Sequence, residues 1–89
     1  MKDIDLRSRE ELVNDIFRKN LKLLRTANAV TGKDLSSLLS MSKMRIHDLE
    51  EGRVTPTLSD MIKIVDHFPI TFNDLLEYEI TLDIKSRTT

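Results

Sequence analysis

Apolar residues recur every three or four positions along most of the chain, the spacing that places them on one side of an α-helix. The pattern predicts five helices: about 9–28, a short one after Thr31, one between Ser42 and Gly52, one over 58–68 and one over 72–76. Proline cannot continue a helix, and Pro69 marks the end of the fourth. Short helices joined by short loops bury their apolar faces most readily as an all-α bundle.

Helix starts are marked by a second pattern, in which a serine or threonine precedes an acidic residue by three positions. Such a hydroxyl accepts a hydrogen bond from an unpaired amide in the first helical turn, while the acidic side chain bonds back. Four such pairs each lead an apolar run: Ser8 and Glu11, Thr31 and Asp34, Thr57 and Asp60, and Thr71 and Asp74. We therefore expect four of the helices to begin at these residues.

At both ends of the chain the apolar residues recur with a different period. "YEITLDIK" alternates apolar and polar residues, and "KDIDLR" repeats the alternation in miniature with Ile4 and Leu6. A period of two is the signature of a β-strand. The apolar residues of the predicted C-terminal strand are Tyr78, Ile80, Leu82 and Ile84. A lone strand leaves its backbone unpaired. We expect it to pair with the N-terminal segment, with its own copy in a second subunit, or with both; the alternative is a frayed tail.

These patterns divide the chain into an N-terminal arm at 1–8, a helical domain at 9–77 and a strand with a tail at 78–89. A chain of 89 residues forms one small domain of marginal stability, a reason for small folds to oligomerise. The sequence contains no cysteine, which suits a reducing cytoplasm. No apolar run is long enough to span a membrane, and the charged N-terminus is not a signal peptide. We expect a cytoplasmic protein.

Charge is distributed unevenly, although the formal net charge is only −1. Residues 1–53 carry eleven Lys and Arg against nine Asp and Glu, whereas residues 54–89 carry three against six. This balance points only weakly to a polyanionic partner. If the few cations are grouped on one face, the chain can bind DNA, but that binding will be lost at modest salt.

The second and third predicted helices are separated only by "SM", and their apolar positions fit one shared core. These positions are Leu35, Leu39, Met41, Ile46 and Leu49. Burying all five holds the two helices at a steep angle and turns the other side of the third helix outward. The outward residues are Lys43, Met44, His47, Asp48 and Glu51. A helix presented in this way fits a DNA major groove about 12 Å wide; the alternative is a core helix with ordinary solvated charges.

Three stretches, "NLKLLR", "LSSLLSMSKMRIHDLEEGR" and "PTLSDMIKIVDHFPITFNDLL", resemble the Cro/repressor-type (XRE-type) helix-turn-helix family. The resemblance covers about two thirds of the chain and all five helices. It implies a five-helix, lambda-repressor-like DNA-binding domain, here with a C-terminal β-strand for dimerisation. Members of the family bind double-stranded operator DNA, usually as dimers, and most repress transcription. The expected function is therefore a sequence-specific regulator, acting as a homodimeric repressor on a palindromic operator.

The resemblance also implies roles for individual residues. Its base-reading positions fall on Lys43, Met44 and Asp48, with Ser42 at the N-cap of the helix. Lys33, Arg45 and Arg53 are better placed to contact the phosphate backbone, which supplies affinity and register. Family members often join the ends of the first and third helices through a partly buried ion pair, and Arg25 and Glu50 occupy those places here. For each of these residues the alternative is an ordinary surface charge.

Three positions depart from the family pattern. Gly32 stands where a glutamine commonly reaches a phosphate, which puts the strength of DNA binding in doubt. Ser40 stands where the turn usually has a glycine, and it would have to adopt a strained left-handed conformation. Pro69 stands where a glycine often follows the fourth helix. The last two departures affect local geometry only.

No residue group suggests an enzyme, a metal site or a cofactor. His47 and Glu51 could share one helical face, but a metal site needs three or four convergent ligands. The serines lack a nucleophile motif, and there is no glycine-rich phosphate loop. A second functional hypothesis stays open: the same fold can serve as a protein-interaction module, such as an antitoxin or antirepressor. Gly32, Met44 and Glu51 favour that alternative, in which the acidic residues 54–89 and the exposed strand would dock a partner protein.

Overall fold

The computed structural model describes residues 7–77, which form five α-helices and no strand. The helices are α1 (Arg9–Ala27), α2 (Gly32–Leu38), α3 (Arg45–Glu50), α4 (Leu58–His67) and α5 (Phe72–Leu76). The all-α prediction is confirmed. Residues 1–6 of the predicted N-terminal arm and the predicted strand over Tyr78–Ile84 lie outside the described residues, so the strand stays a prediction.

Four helices begin at the hydroxyl residues that the sequence marks. Ser8, Thr31, Thr57 and Thr71 each accept a hydrogen bond from the backbone amide three residues later. In α1, α4 and α5 the acidic partner also accepts from the N-cap backbone, which completes the capping box. The predicted helix starts are therefore confirmed, and each saturates amides that would otherwise be unpaired.

Three helices end in the same backbone motif, with a left-handed residue just past the C-cap. These residues are Ala29 (φ 55°), Ser40 (φ 56°) and Gly52 (φ 74°). The amide after each of them donates back to the carbonyl five residues earlier, from Val30 to Arg25, from Met41 to Ser36 and from Arg53 to Asp48. This six-to-one bond and its inner companion define a Schellman motif. Two of the three motifs accept the cost of a left-handed residue that is not glycine.

The core is built around α1, which packs against α3 and α5, while α2 packs against α3 and α4 against α5. Its buried apolar residues are Phe17, Leu21, Leu24, Leu35, Leu39, Ile46, Leu49, Ile64, Phe68 and Leu75. Asn20 is buried among them, and its side-chain amide donates to the carbonyls of Asp74 and Leu75 at 3.2 and 2.9 Å. These two hydrogen bonds fix α5 against the middle of α1. Within residues 7–77, no helix has the length and apolar character needed to cross a membrane.

Candidate nucleic-acid interface

The helix-turn-helix unit is held by the residues that the apolar pattern selects. Leu35, Leu39, Ile46 and Leu49 are buried, and Met41 packs against the core from the turn between the helices. The left-handed Ser40 allows the chain to reverse there, and its amide donates to the carbonyl of Ser37. Because α2 and α3 share one core, the opposite side of α3 is turned away from it.

The first turn of α3 differs from the expectation that Ser42 would be its N-cap. The helix begins at Arg45, Met44 holds the cap position, and the cap makes no side-chain hydrogen bond. The Ser42 carbonyl instead accepts from the Arg45 amide at 3.0 Å and closes a preceding turn. The acceptor for the next amide comes from another helix, because the buried hydroxyl of Ser36 accepts from the Ile46 amide at 3.1 Å. The cap of α3 is therefore supplied by α2.

The residues directly before α3, and the side of α3 that faces away from the core, are exposed to solvent. Ser42, Lys43, Met44 and His47 are all exposed, and Met44 keeps 49% of its surface accessible although it is apolar. We call Lys43 and Met44 the recognition edge. The exposure of these two residues just before the buried Ile46 is what the apolar spacing of the sequence predicts.

Asp48 and Arg53 lie one helical turn further along α3 and in the loop that follows it. The Arg53 guanidinium lies 3.4 Å from the Asp48 carboxylate, and the Arg53 amide donates to the Asp48 carbonyl at 2.9 Å. Asp48 is half-buried, whereas Arg53 is exposed. Part of the negative charge on the outward face of α3 is therefore balanced by a neighbouring arginine.

Arg45, for which the sequence predicts a phosphate contact, is paired with an acidic residue of α4. Its Nε and Nη2 donate to the two carboxylate oxygens of Asp60 at 3.2 and 2.5 Å, in a pair whose side chains are only 24% and 9% exposed. Burial raises the pKa of Asp60, but hydrogen bonds from Arg45 and Thr57 outweigh it, so that the pKa lies below its ordinary value. The sequence pattern assigns Asp60 to the capping box of α4, and nothing in the sequence indicates that its carboxylate also binds Arg45 of α3.

A helix-turn-helix family profile matches residues 21–75, more than half of the chain. The chain belongs to the XRE-type helix-turn-helix family. An uncharacterized HTH-type transcriptional regulator of Methanocaldococcus jannaschii is 31% identical to it over 63 residues, which span 71% of this chain and 96% of the relative. The crystal structure of the hypothetical transcription factor NHTF from Neisseria superposes with a TM-score of 0.68 at 15% identity, covering 100% of this chain and 98% of that one. The second likeness shows the fold alone.

In this helix-turn-helix protein, Arg25 and Glu50 join the ends of α1 and α3. Arg25 Nε and Nη2 donate to the Glu50 carboxylate at 2.7 and 3.0 Å, and Nη1 donates to the Val30 carbonyl at 2.9 Å. The side chains are 17% and 6% exposed. The hydrogen bonds to Glu50 raise the pKa of Arg25 above its ordinary value. Glu50 is thus a counter-ion inside the fold and is not directed at DNA.

The start of the family's second helix carries the remaining candidate. Lys33 is exposed in the first turn of α2, beside Gly32, the first residue of that helix. The structure therefore separates the predicted DNA-binding residues into an exposed group and Arg45. The exposed group comprises Lys33, Ser42, Lys43, Met44 and Arg53, with Asp48 half-buried beside them. In residues 7–77, no group of three or more His, Cys, Asp or Glu could hold a metal ion.

Proposed function

We propose that this protein is a sequence-specific DNA-binding transcriptional regulator, acting as a homodimeric repressor on a palindromic operator. Membership of the helix-turn-helix family supports DNA binding, and the archaeal relative is itself named as a transcriptional regulator. The observation that carries the proposal is the recognition edge, an exposed lysine and methionine held at the start of a helix whose other side is buried.

The chemistry of the edge suits the major groove. The Lys43 ammonium can donate to O6 and N7 of guanine, and Met44 can contact a thymine methyl group. Asp48 can accept from N4 of cytosine, although its pairing with Arg53 competes with that contact. Lys33 and Arg53 are assigned to phosphates, which supply affinity and register but no sequence information.

Dimerisation offsets the weak electrostatic attraction of a single subunit for DNA. With a net charge of −1, one subunit brings few free cations to a polyanion whose binding falls steeply with salt. Two linked recognition helices make the second contact effectively intramolecular, on half-sites about 34 Å apart. We assign dimerisation to the alternating segment Tyr78–Ile84, which lies outside the described residues. A palindromic site is the expected target of such a two-fold dimer.

The test is retention of the protein on duplex DNA over a range of salt concentrations. We expect Lys43→Ala to weaken binding. It should also reduce the magnitude of the slope of log affinity against log salt by about one for each Lys43 side chain that contacts DNA in the wild type. Lys22→Ala is the matched control, because Lys22 is an exposed lysine on α1 that no family role assigns to DNA. A wild-type protein that is not retained even in dilute buffer would contradict the proposal.

A protein-interaction module is the second candidate, and two exposed leucines favour it. Leu38 at the end of α2 and Leu58 at the start of α4 keep 61% and 65% of their surfaces accessible. Exposed apolar residues mark a protein-interaction site where they belong to a contiguous patch, and Leu38 and Leu58 are the candidates for such a patch here. The same retention experiment separates the two functions, because an interaction module would show no salt-dependent binding that Lys43→Ala reduces.

A further inference from the structure

The first turn of α3 is held by contacts from two other helices, not by its own N-cap. Met44 at the cap position contributes no side-chain bond. Ser36 of α2 accepts from the Ile46 amide, and Asp60 of α4 accepts two hydrogen bonds from Arg45. All three contacts fall on the two residues that directly follow the recognition edge.

Asp60 connects the start of α3 to the start of α4. One carboxylate oxygen accepts from Arg45 at 2.5 Å and also from the Thr57 amide at 2.8 Å, within the capping box of α4. The Asp60 amide donates back to the Thr57 hydroxyl at 3.1 Å. Arg45 Nε donates to the other oxygen at 3.2 Å, so that the guanidinium makes a bidentate contact with the Asp60 carboxylate. A fork held in this way has a defined orientation that a lysine could not reproduce.

We propose that Ser36 and Asp60 are positioning residues for DNA recognition, which fix the first turn of α3 and thereby the angle at which Lys43 and Met44 are presented. The proposal rests on the DNA-binding function proposed above. Base contacts depend on alignment within the groove, whereas phosphate attraction tolerates displacement. Loosening the first turn therefore lowers affinity for a specific site while leaving non-specific binding almost unchanged.

This assignment and the phosphate contact that the sequence predicts for Arg45 lead to opposite expectations for Asp60→Asn. If Arg45 were a phosphate ligand, neutralising Asp60 would free its guanidinium and raise affinity for any DNA. If Arg45 positions the edge through Asp60, the same change loosens the first turn and lowers affinity for the specific site alone. Arg45→Lys sharpens the difference, because it keeps the charge and loses the fork.

The experiment compares two duplexes of equal length, one recovered with the wild-type protein from a random pool and one a scrambled version of it. We expect Asp60→Asn, Arg45→Lys and Ser36→Ala each to weaken binding to the selected duplex at least about fivefold, the loss of roughly one base contact. Binding to the scrambled duplex should stay within about twofold of wild type, with the salt slope unchanged.

Thr57→Ala is the matched control, because it breaks the same capping box without removing the Arg45 contact. We expect it to lower the melting temperature and to keep the ratio of selected to scrambled binding. All measurements are made well below the melting temperature of each variant. Should Asp60→Asn fail to fold, Arg45→Lys and Ser36→Ala leave the capping box of α4 intact and carry the test.

Tighter binding of Asp60→Asn to both duplexes, or unchanged selectivity in Arg45→Lys and Ser36→Ala, would overturn the positioning role while leaving the DNA-binding function in place. Failure of the wild-type protein to bind either duplex at low salt would overturn both proposals. The two failures are thus distinguishable in a single titration series.

Discussion

Replacing Arg25 by alanine should destabilise the protein more than any other loss of a single charge that we consider. The Arg25 fork makes two bonds to Glu50 and one to the Val30 carbonyl, in a site where Glu50 keeps only 6% of its side-chain surface. Removal of Arg25 leaves a buried carboxylate without its counter-ion, which costs about 3–5 kcal/mol. In a domain of this size, 1 kcal/mol corresponds to roughly 4–8 °C in melting temperature.

We therefore expect Arg25→Ala to lower the melting temperature by at least about 10 °C, measured by circular dichroism with urea unfolding as a second method. Arg53→Ala is the control, because Arg53 also pairs with a carboxylate but at 3.4 Å and with 59% of its side chain exposed. Exposed pairs contribute about 0–1 kcal/mol. The control should therefore shift the transition by only a few degrees.

A double replacement separates the pair from the space that it fills. Arg25→Met with Glu50→Leu removes both charges and keeps most of the volume, and such exchanges are often neutral or stabilising. We expect the double variant to be more stable than Arg25→Ala. If Arg25→Ala melts within a degree or two of wild type, the pair contributes no more to the free energy of unfolding than an exposed ion pair does. The reasoning from its burial would then be wrong.

Three further predictions concern other parts of the fold. Ser40→Gly should raise stability by about 0.5–1 kcal/mol in urea unfolding, because glycine adopts the left-handed conformation of Ser40 without strain. Asp60 has a lowered pKa when folded, so its contribution is present above its unfolded pKa of about 3.9 and is lost as the pH falls through the folded value. Between about pH 5 and 2, the wild type should lose more stability than Asp60→Asn. Deleting residues 78–89 should give a monomer in sedimentation and weaken operator binding sharply; a truncated protein that remains dimeric contradicts the role of the strand.

Local sequence patterns predict most of the fold because most helix starts are local events. A hydroxyl and a carboxylate three residues apart carry all the information for a capping box, and the starts at Ser8, Thr57 and Thr71 follow from it. The start of α3 cannot be predicted in this way, because its capping hydroxyl belongs to Ser36, ten residues before the Ile46 amide that it binds. A contact between helices leaves no periodic signal.

The candidate site is predicted less completely, for the same reason. The exposure of Lys43 and Met44 follows from the burial of Ile46 and Leu49, which the apolar spacing selects. The environment of Arg45 does not follow, because an arginine beside two exposed residues looks equally exposed until α4 is placed against it. The pairing of Arg25 with Glu50 came from the family resemblance, and nothing in the spacing of these two residues alone would indicate it.

The pairings resolve the mixed charge of "SKMRIHDLEEG", the stretch that contains α3. Glu50 is neutralised by Arg25, Asp48 is paired with Arg53, and Arg45 is held by Asp60. What remains is Lys43 exposed before the helix and Glu51 exposed after it, where Glu51 lines a cavity shared with α1. Within residues 7–77, neither Lys43 at the beginning of the segment nor Glu51 at its end forms an ion pair. Under the proposed DNA-binding function, phosphates attract the first and repel the second, so we expect the segment to approach DNA with Lys43 and Met44 foremost.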